Sequence, residues 1–215
     1  MSESAMIDFC RWLETRILVP RIMLLVLLLW GSIRLWATDD SPWNAAEDWF
    51  FLSGFVALFR LWDDLQDAEL DRLHRPGHGL SDTKYHRALT VVLASGLIVI
   101  VAGAGLSFGW TSGILLSGLC GLLALWYRIR KRCSNPFVSY HLLLLKYPFI
   151  LLTVALGRGL TGLQMTAAAL CVYLMVCLWE LGSESQLRSQ STGRKIAVAE
   201  GVLLGGSILF MWIME

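Results

Sequence analysis

A backbone that crosses hydrocarbon must satisfy every N–H and C=O internally, and a helix needs about 20 mainly apolar residues to span it. Seven stretches of this 215-residue chain meet or approach that length: 17–37, 45–62, 88–108, 111–127, 137–157, 163–181 and 196–214. Apolar residues make up 56% of the chain and charged residues only 16%. A soluble domain has roughly 45–50% and 25%. Both departures point to lipid as the main solvent. The expected fold class is therefore all-α, a polytopic membrane helical bundle of about seven transmembrane helices in a single domain, 1–215. Gly109 and Trp110 alone separate two of the runs, so 88–108 and 111–127 are expected to pair as an antiparallel hairpin.

Basic residues resist translocation, and their distribution predicts the threading. With the N-terminus inside, 15 of the 18 Lys and Arg fall on cytoplasmic segments, leaving only Arg34, Lys146 and Arg158. The prediction is N-in and C-out, in a membrane such as the bacterial inner membrane. Residues 1–16 are polar to amphipathic and are expected to lie on the cytoplasmic face. The loop at 38–48 carries Asp39, Asp40, Glu47 and Asp48 and no Lys or Arg, as an outer loop can. Tryptophans sort the same way. Trp36, Trp43, Trp49, Trp110 and Trp212 fall near the outer boundary, and Trp62, Trp126 and Trp179 near the inner one, giving two interfacial belts. Gly201/Gly205 and Gly118/Gly121 suit close helix packing.

Several function classes drop out. A net charge of +1 leaves no basic surplus, so no nucleic-acid partner is expected. The five cysteines form no CxxC pair and read as small apolar fillers. His74 and His78 stand at i, i+4, but the chain has only four His and no HxxHH box, so a histidine–metal centre there is not the expected reading. Neither a GxSxG elbow nor a P-loop is present.

The chemistry-bearing feature is where the second run ends: Arg60-Leu-Trp-Asp63-Asp64-Leu-Gln-Asp67-Ala-Glu69-Leu-Asp71-Arg72-Leu-His-Arg75-Pro76. Asp64, Asp67 and Asp71 stand at i, i+3 and i+7, which predicts one helical stripe of carboxylates. Asp63 is i, i+4 from Asp67. Hard oxygen ligands at this density suit Mg²⁺, which takes one or two carboxylates together with phosphate oxygens. Arg72, Arg75, Lys84 and Arg87 follow and are placed to meet phosphates. A second acidic pair, Glu180 and Glu184, closes the sixth run at i, i+4. Two acidic clusters at the inner ends of two helices predict a clamp on one diphosphate. The competing reading of the first is a solvated acidic loop balanced by neighbouring basic residues, and of the second ordinary helix-end acids.

With these residues in view, the chain resembles the UbiA-type intramembrane prenyltransferases over roughly 17–214. Asp64-Leu-Gln-Asp67 falls within a DDxxD string, and Asp63-Asp64-x-x-Asp67-x-x-x-Asp71 followed by Arg75-Pro76 is similar to the family's first motif, with Asp63 at its Asn position. Arg60 resembles an Arg that precedes the motif in one branch. Tyr127 with Lys131-Arg132 is similar to the Tyr and Lys-Arg after the fourth span, and Glu180-x-x-x-Glu184 would occupy the place of the second motif. The resemblance implies a helical barrel with a central cavity. It also implies Mg²⁺ on the two acidic motifs and transfer of a polyprenyl group from its diphosphate to an aromatic or other lipophilic acceptor. In that reading Asp64, Asp67 and Asp71 are catalytic metal ligands supported by Asp63. Glu180 and Glu184 hold a second metal. Arg60, Arg72, Arg75, Lys131, Arg132 and Lys146 bind the substrate. The family has nine spans against seven runs here, so a second copy or a partner membrane subunit is expected to complete the wall. A UbiA-related terpene cyclase and a non-catalytic subunit keeping the fold are the alternatives.

Two further charges lie inside runs. Lys146, near the middle of the fifth, is either a cavity cation or half of an interhelical ion pair; Glu200, in the seventh, reads as a structural partner or snorkelling side chain.

Overall fold

Backbone in an apolar run closes its hydrogen bonds locally, and the apolar runs do so as helices wherever their residues are described. The computed structural model describes residues 14, 20–37, 41–74, 86–130, 136–160, 162–183 and 191–214. Within these residues there are eight helices and no strand: α1 (Pro20–Arg34), α2 (Pro42–His74), α3 (His86–Ser107), α4 (Trp110–Ile129), α5 (Pro136–Leu144), α6 (Lys146–Gly157), α7 (Gly162–Ser183) and α8 (Ser191–Met214). Four stretches are long and apolar enough to cross a membrane: His86–Ser107, Trp110–Ile129, Phe137–Gly157 and Gly162–Gly182. Each overlies a run read from the sequence, as a multi-pass membrane protein requires. Many large apolar side chains point outward, Ile98, Val99, Leu106, Leu122 and Val202 among them. In water such a surface would be an aggregation hazard; in lipid it is the solvated face.

Local chemistry sets the boundaries. Helix α1 begins at Pro20 and α2 at Pro42, where a missing N–H costs nothing and φ is already helical. Ser41 sits before Pro42, and its carbonyl accepts from Ala45 N–H at 3.1 Å. The expected outer loop 38–48 is therefore helical from residue 42, and Asp48, read there as a loop acid, is fully buried. The fifth run is one stretch in two pieces, α5 and α6, jointed at Leu145. Pro148 is the cause: it has no N–H for the Leu144 carbonyl, and its ring crowds that carbonyl. Helical bonds persist on both sides, Leu145 N–H to His141 O and Phe149 N–H to Leu145 O, each 3.2 Å. At the end of α6, Gly159 has φ +70°. Leu160 N–H bonds to Ala155 O, and Gly159 N–H to Leu156 O, each at 3.2 Å. This paired C-terminal cap needs the left-handed residue that glycine supplies.

Contacts divide the chain into two units, Met1–Trp30 with Ser41–Gly103, and Gly31–Asp40 with Ala104–Glu215. In the first unit, Trp30 Nε1 donates to Ala45 O at 2.9 Å, and its ring meets Trp49 edge-on at 6.0 Å. Along α2 an aromatic ladder runs Phe51, Phe55, Phe59 and Trp62, with centroids 5.1, 5.3 and 6.0 Å apart. Trp62 is thus buried in a stack rather than standing in an interfacial belt. Trp43 is 85% exposed, and Trp110 is exposed too.

In the second unit α4 buries Ser112, Leu116, Leu119, Leu123 and Tyr127, a stripe at helical period. It packs on α6, α6 packs on α7, and α7 on α8. Two contacts fix the α4–α6 pair. Ser112 Oγ donates to Thr153 O at 2.9 Å, and Gly157 lies against Phe108. Among the described residues, the glycines that permit close approach are Gly157 and, in the first unit, Gly96 against Leu58 and Gly54 against Ile100. The pairs expected to do so do not: an added Cβ at Gly118, Gly121, Gly201 or Gly205 meets nothing within 4 Å among the described residues. Those faces are open, and spacing alone could not tell an inward glycine from an outward one.

A prediction follows for Ser112→Ala. It leaves the buried Thr153 carbonyl without this donor and should destabilise the protein by about 1 kcal/mol, the usual worth of such a bond. Ser117 is exposed and bonds back only within its own helix, so Ser117→Ala should be neutral. Thermal unfolding in detergent distinguishes them; equal midpoints would contradict the assignment.

Candidate functional site

The first predicted motif lies on α2, which runs without interruption from the aromatic ladder through Asp63, Asp64 and Asp67 and, in its backbone, Asp71 and Arg72. A solvated loop is excluded for these positions. Phe59 and Trp62 set the phase of the helix, and the acids follow from it. Leu61, Trp62 and Leu65 are buried, and between them Asp64 is only 6% exposed. Asp63 and Asp67 are half-buried. Arg60 Nε is 3.5 Å from Asp64 Oδ1, an i, i+4 ion pair on a largely buried carboxylate.

Side chains at i, i+3 or i, i+4 are about 5–6 Å apart at Cβ, and two carboxylates so placed repel by roughly 3 kcal/mol at an effective dielectric of ~20. Water around Asp63 and Asp67 screens part of that. Arg60 offsets the charge of Asp64. A set of carboxylate oxygens at this spacing is the donor type that a hard divalent ion takes.

The remaining predicted residues are placed as follows. Glu180 is exposed on α7, and Lys146 is 2% exposed at the α5–α6 joint, its Nζ 5.4 Å from the centre of its neighbour Tyr147. Tyr127 is buried beneath Arg130, whose Cζ is 4.8 Å from the ring centre. Arg87 is exposed at the start of α3. Arg75, Lys131, Arg132, Glu184, Lys84 and His78 lie outside the described residues, as do the side chains of Asp71, Arg72 and His74.

A second polar cluster was not read from the sequence. On α5, α7 and α8, His141, Cys177 and Glu200 bring their donor atoms within 4.8 Å of one another. His141 Nδ1 is 2.9 Å from Tyr173 Oη, 3.7 Å from Cys177 Sγ and 3.7 Å from Glu200 Oε1. Three features seat it. Tyr140 donates its hydroxyl to the Cys177 carbonyl, Phe137 and Leu181 pack with Ile196 and Ala197, and Tyr173 precedes Cys177 by one helical turn. Cys177 is fully buried. Glu200 does not snorkel: its side chain is 7% exposed, and neither carboxylate oxygen makes a well-formed hydrogen bond among the described residues. Each of the three residues sits in a separate helix, and no spacing rule links residues 36 apart, as His141 and Cys177 are. A sequence cue existed only in the acid and the imidazole, both expensive inside an apolar run.

No family model, curated protein or solved structure matches the chain.

Proposed function

We propose that the protein transfers a polyprenyl group from its diphosphate to a lipophilic acceptor within the membrane, with Mg²⁺ held on the acidic face of α2. In this reading it is a seven-span, UbiA-like bundle with its N-terminus cytoplasmic, and a second copy or partner subunit completes the wall. One observation carries the proposal: Asp63, Asp64 and Asp67 continue an unbroken helix whose preceding turns are aromatic and buried, so the carboxylates stand directly next to an apolar core.

The donor set fits a hard divalent ion. Asp64, Asp67 and Asp71 would hold it, with Asp63 in support and Glu180 and Glu184 holding a second. When bound, Mg²⁺ neutralises charge on the departing diphosphate, the main electrostatic demand in ionising an allylic C–O bond. Arg60 fixes the Asp64 carboxylate, 3.5 Å away. Arg72, Arg75, Lys131 and Arg132 supply donors to the phosphate oxygens, and Lys146 adds a buried cation. Apolar side chains would exclude water from the allylic cation left when the C–O bond to the diphosphate breaks, so that the acceptor bonds to that carbon and its displaced proton leaves to the diphosphate or to water.

The test is turnover of prenyl diphosphates by the full chain in lipid nanodiscs, with Mg²⁺ or with EDTA, in the presence and absence of aromatic lipid acceptors. Prenylated acceptor formed only with Mg²⁺ is the expected result. Diphosphate release with a cyclic product and no acceptor would assign a cyclase, and no turnover of any prenyl diphosphate would overturn the enzymatic reading.

A further inference from the structure

We infer that His141, Cys177 and Glu200 form a binding site for a zinc-class transition-metal ion, built from other residues than the acids of α2. The three side chains come from three helices of one unit, and their donor atoms converge within 4.8 Å. In a four-coordinate zinc site, sulfur about 2.3 Å and nitrogen or oxygen about 2.0–2.1 Å from the metal stand roughly 3.3–3.6 Å from one another. The two distances from His141 Nδ1, 3.7 Å to Cys177 Sγ and 3.7 Å to Glu200 Oε1, lie within a small adjustment of that.

The donor chemistry selects the metal. A thiolate with an imidazole and a carboxylate suits zinc and its neighbours, whereas magnesium takes oxygen. Charge agrees: one thiolate and one carboxylate neutralise a divalent ion, so the loaded site carries no net charge into an apolar surround. Glu200 supplies an independent sign. Neither of its buried carboxylate oxygens makes a well-formed hydrogen bond among the described residues; beside it stand the Cys177 thiol and His141 Nδ1, the latter 3.7 Å away, and a buried carboxylate so poorly satisfied calls for a missing ion or water. Nδ1 is also the imidazole nitrogen that faces the cluster. With the ring proton on Nε2 it accepts from the Tyr173 hydroxyl at 2.9 Å, and that lone pair is the one a metal takes. As the metal–sulfur bond forms, the Cys177 thiol proton leaves to solvent. Three protein ligands leave a fourth position, with the Tyr173 hydroxyl beside it.

The experiment uses the reduced, chelator-treated full chain in detergent, without Mg²⁺ or diphosphate, and titrates Co²⁺ and then Zn²⁺. One equivalent of Co²⁺ should produce a thiolate-to-cobalt charge-transfer band and intense visible bands of a four-coordinate ion, both bleached by Zn²⁺, which binds more tightly. Cys177→Ser should abolish the charge-transfer band, and Cys171→Ser, altering the other buried cysteine of α7, should keep it. Loss of an outer partner typically costs 10–100-fold in metal affinity, so Glu200→Gln, which loses a ligand, should weaken Zn²⁺ by at least ~10-fold. Glu200→Gln preserves volume and serves where a serine at 177 does not fold; it should lose the Zn²⁺-induced rise in Tm that the parent shows. No thiolate band and no rise in Tm in the parent protein, or a band that survives Cys177→Ser, would overturn the site. Neither outcome bears on prenyl transfer.

Discussion

Replacing Asp67 by alanine should lower Mg²⁺-dependent turnover of a prenyl diphosphate by about 10²–10³-fold, the loss typical when one electrostatic stabiliser is removed from an active site. Asp71→Ala should do the same. Stability should hardly change. Asp67 is half-buried at the charged end of α2, outside the packed core, and alanine is the better helix former; substitutions of that kind stay within about 0.5 kcal/mol. Asp64 makes a poorer probe. It is buried and paired with Arg60, so Asp64→Ala removes a buried carboxylate, takes this partner from the half-buried Arg60 and mixes folding with chemistry. Activity and thermal midpoint should be measured on the same preparation. A double Asp67→Ala/Asp71→Ala variant with full turnover would refute a catalytic role for the stripe.

Gly157→Ala should be the most damaging single methyl in the second unit. A Cβ there would lie 2.6 Å from Phe108 Cα and closer still to Phe108 Cβ. Backbone must move to admit it, and overpacking of this kind costs about 1–3 kcal/mol. At roughly 2 kcal/mol a chain of this size loses about 4–8 °C in Tm. Gly96→Ala is the matched control. Its added Cβ meets Leu58 Cδ2 at 2.6 Å, the free end of a flexible side chain that can rotate away, and helix propensity returns up to about 1 kcal/mol. Parallel thermal melts in one detergent suffice as the check. If Gly157→Ala melts with the parent, the α4–α6 approach is not as close as described.

Much of the helical layout was legible because the decisive signal, apolar run length, is a local property. The runs at 88–108, 111–127, 137–157 and 163–181 correspond to the four stretches able to cross a membrane, with ends shifted by three residues or fewer. Punctuation was harder. Ser41-Pro42 is a recognisable helix start, but the acids after it read as an exposed loop, and Asp48 is buried instead. Pro148 carries the reason for the joint at Leu145, which apolar periodicity passes over. The aspartate stripe was readable because its ligands lie within two turns of one helix. The His141–Cys177–Glu200 cluster was not, because its members meet only through the packing of three helices, and each alone resembles a filler, a helix-end residue or a snorkelling acid. The small-residue pairs failed for a related reason: a glycine's spacing does not say which way its helix faces.

The central claim is that the aspartates of α2 grip divalent cations carrying a prenyl diphosphate. The most direct measurement is a structure of the full chain in lipid, determined with Mg²⁺ and a non-ionisable thiolo analogue of a prenyl diphosphate. The account predicts Mg²⁺ about 2.0–2.1 Å from carboxylate oxygens of Asp64, Asp67 or Asp71 and bridging to the diphosphate, with the prenyl tail among apolar side chains. A diphosphate bound elsewhere, with those carboxylates facing only Arg60 and water, would contradict it.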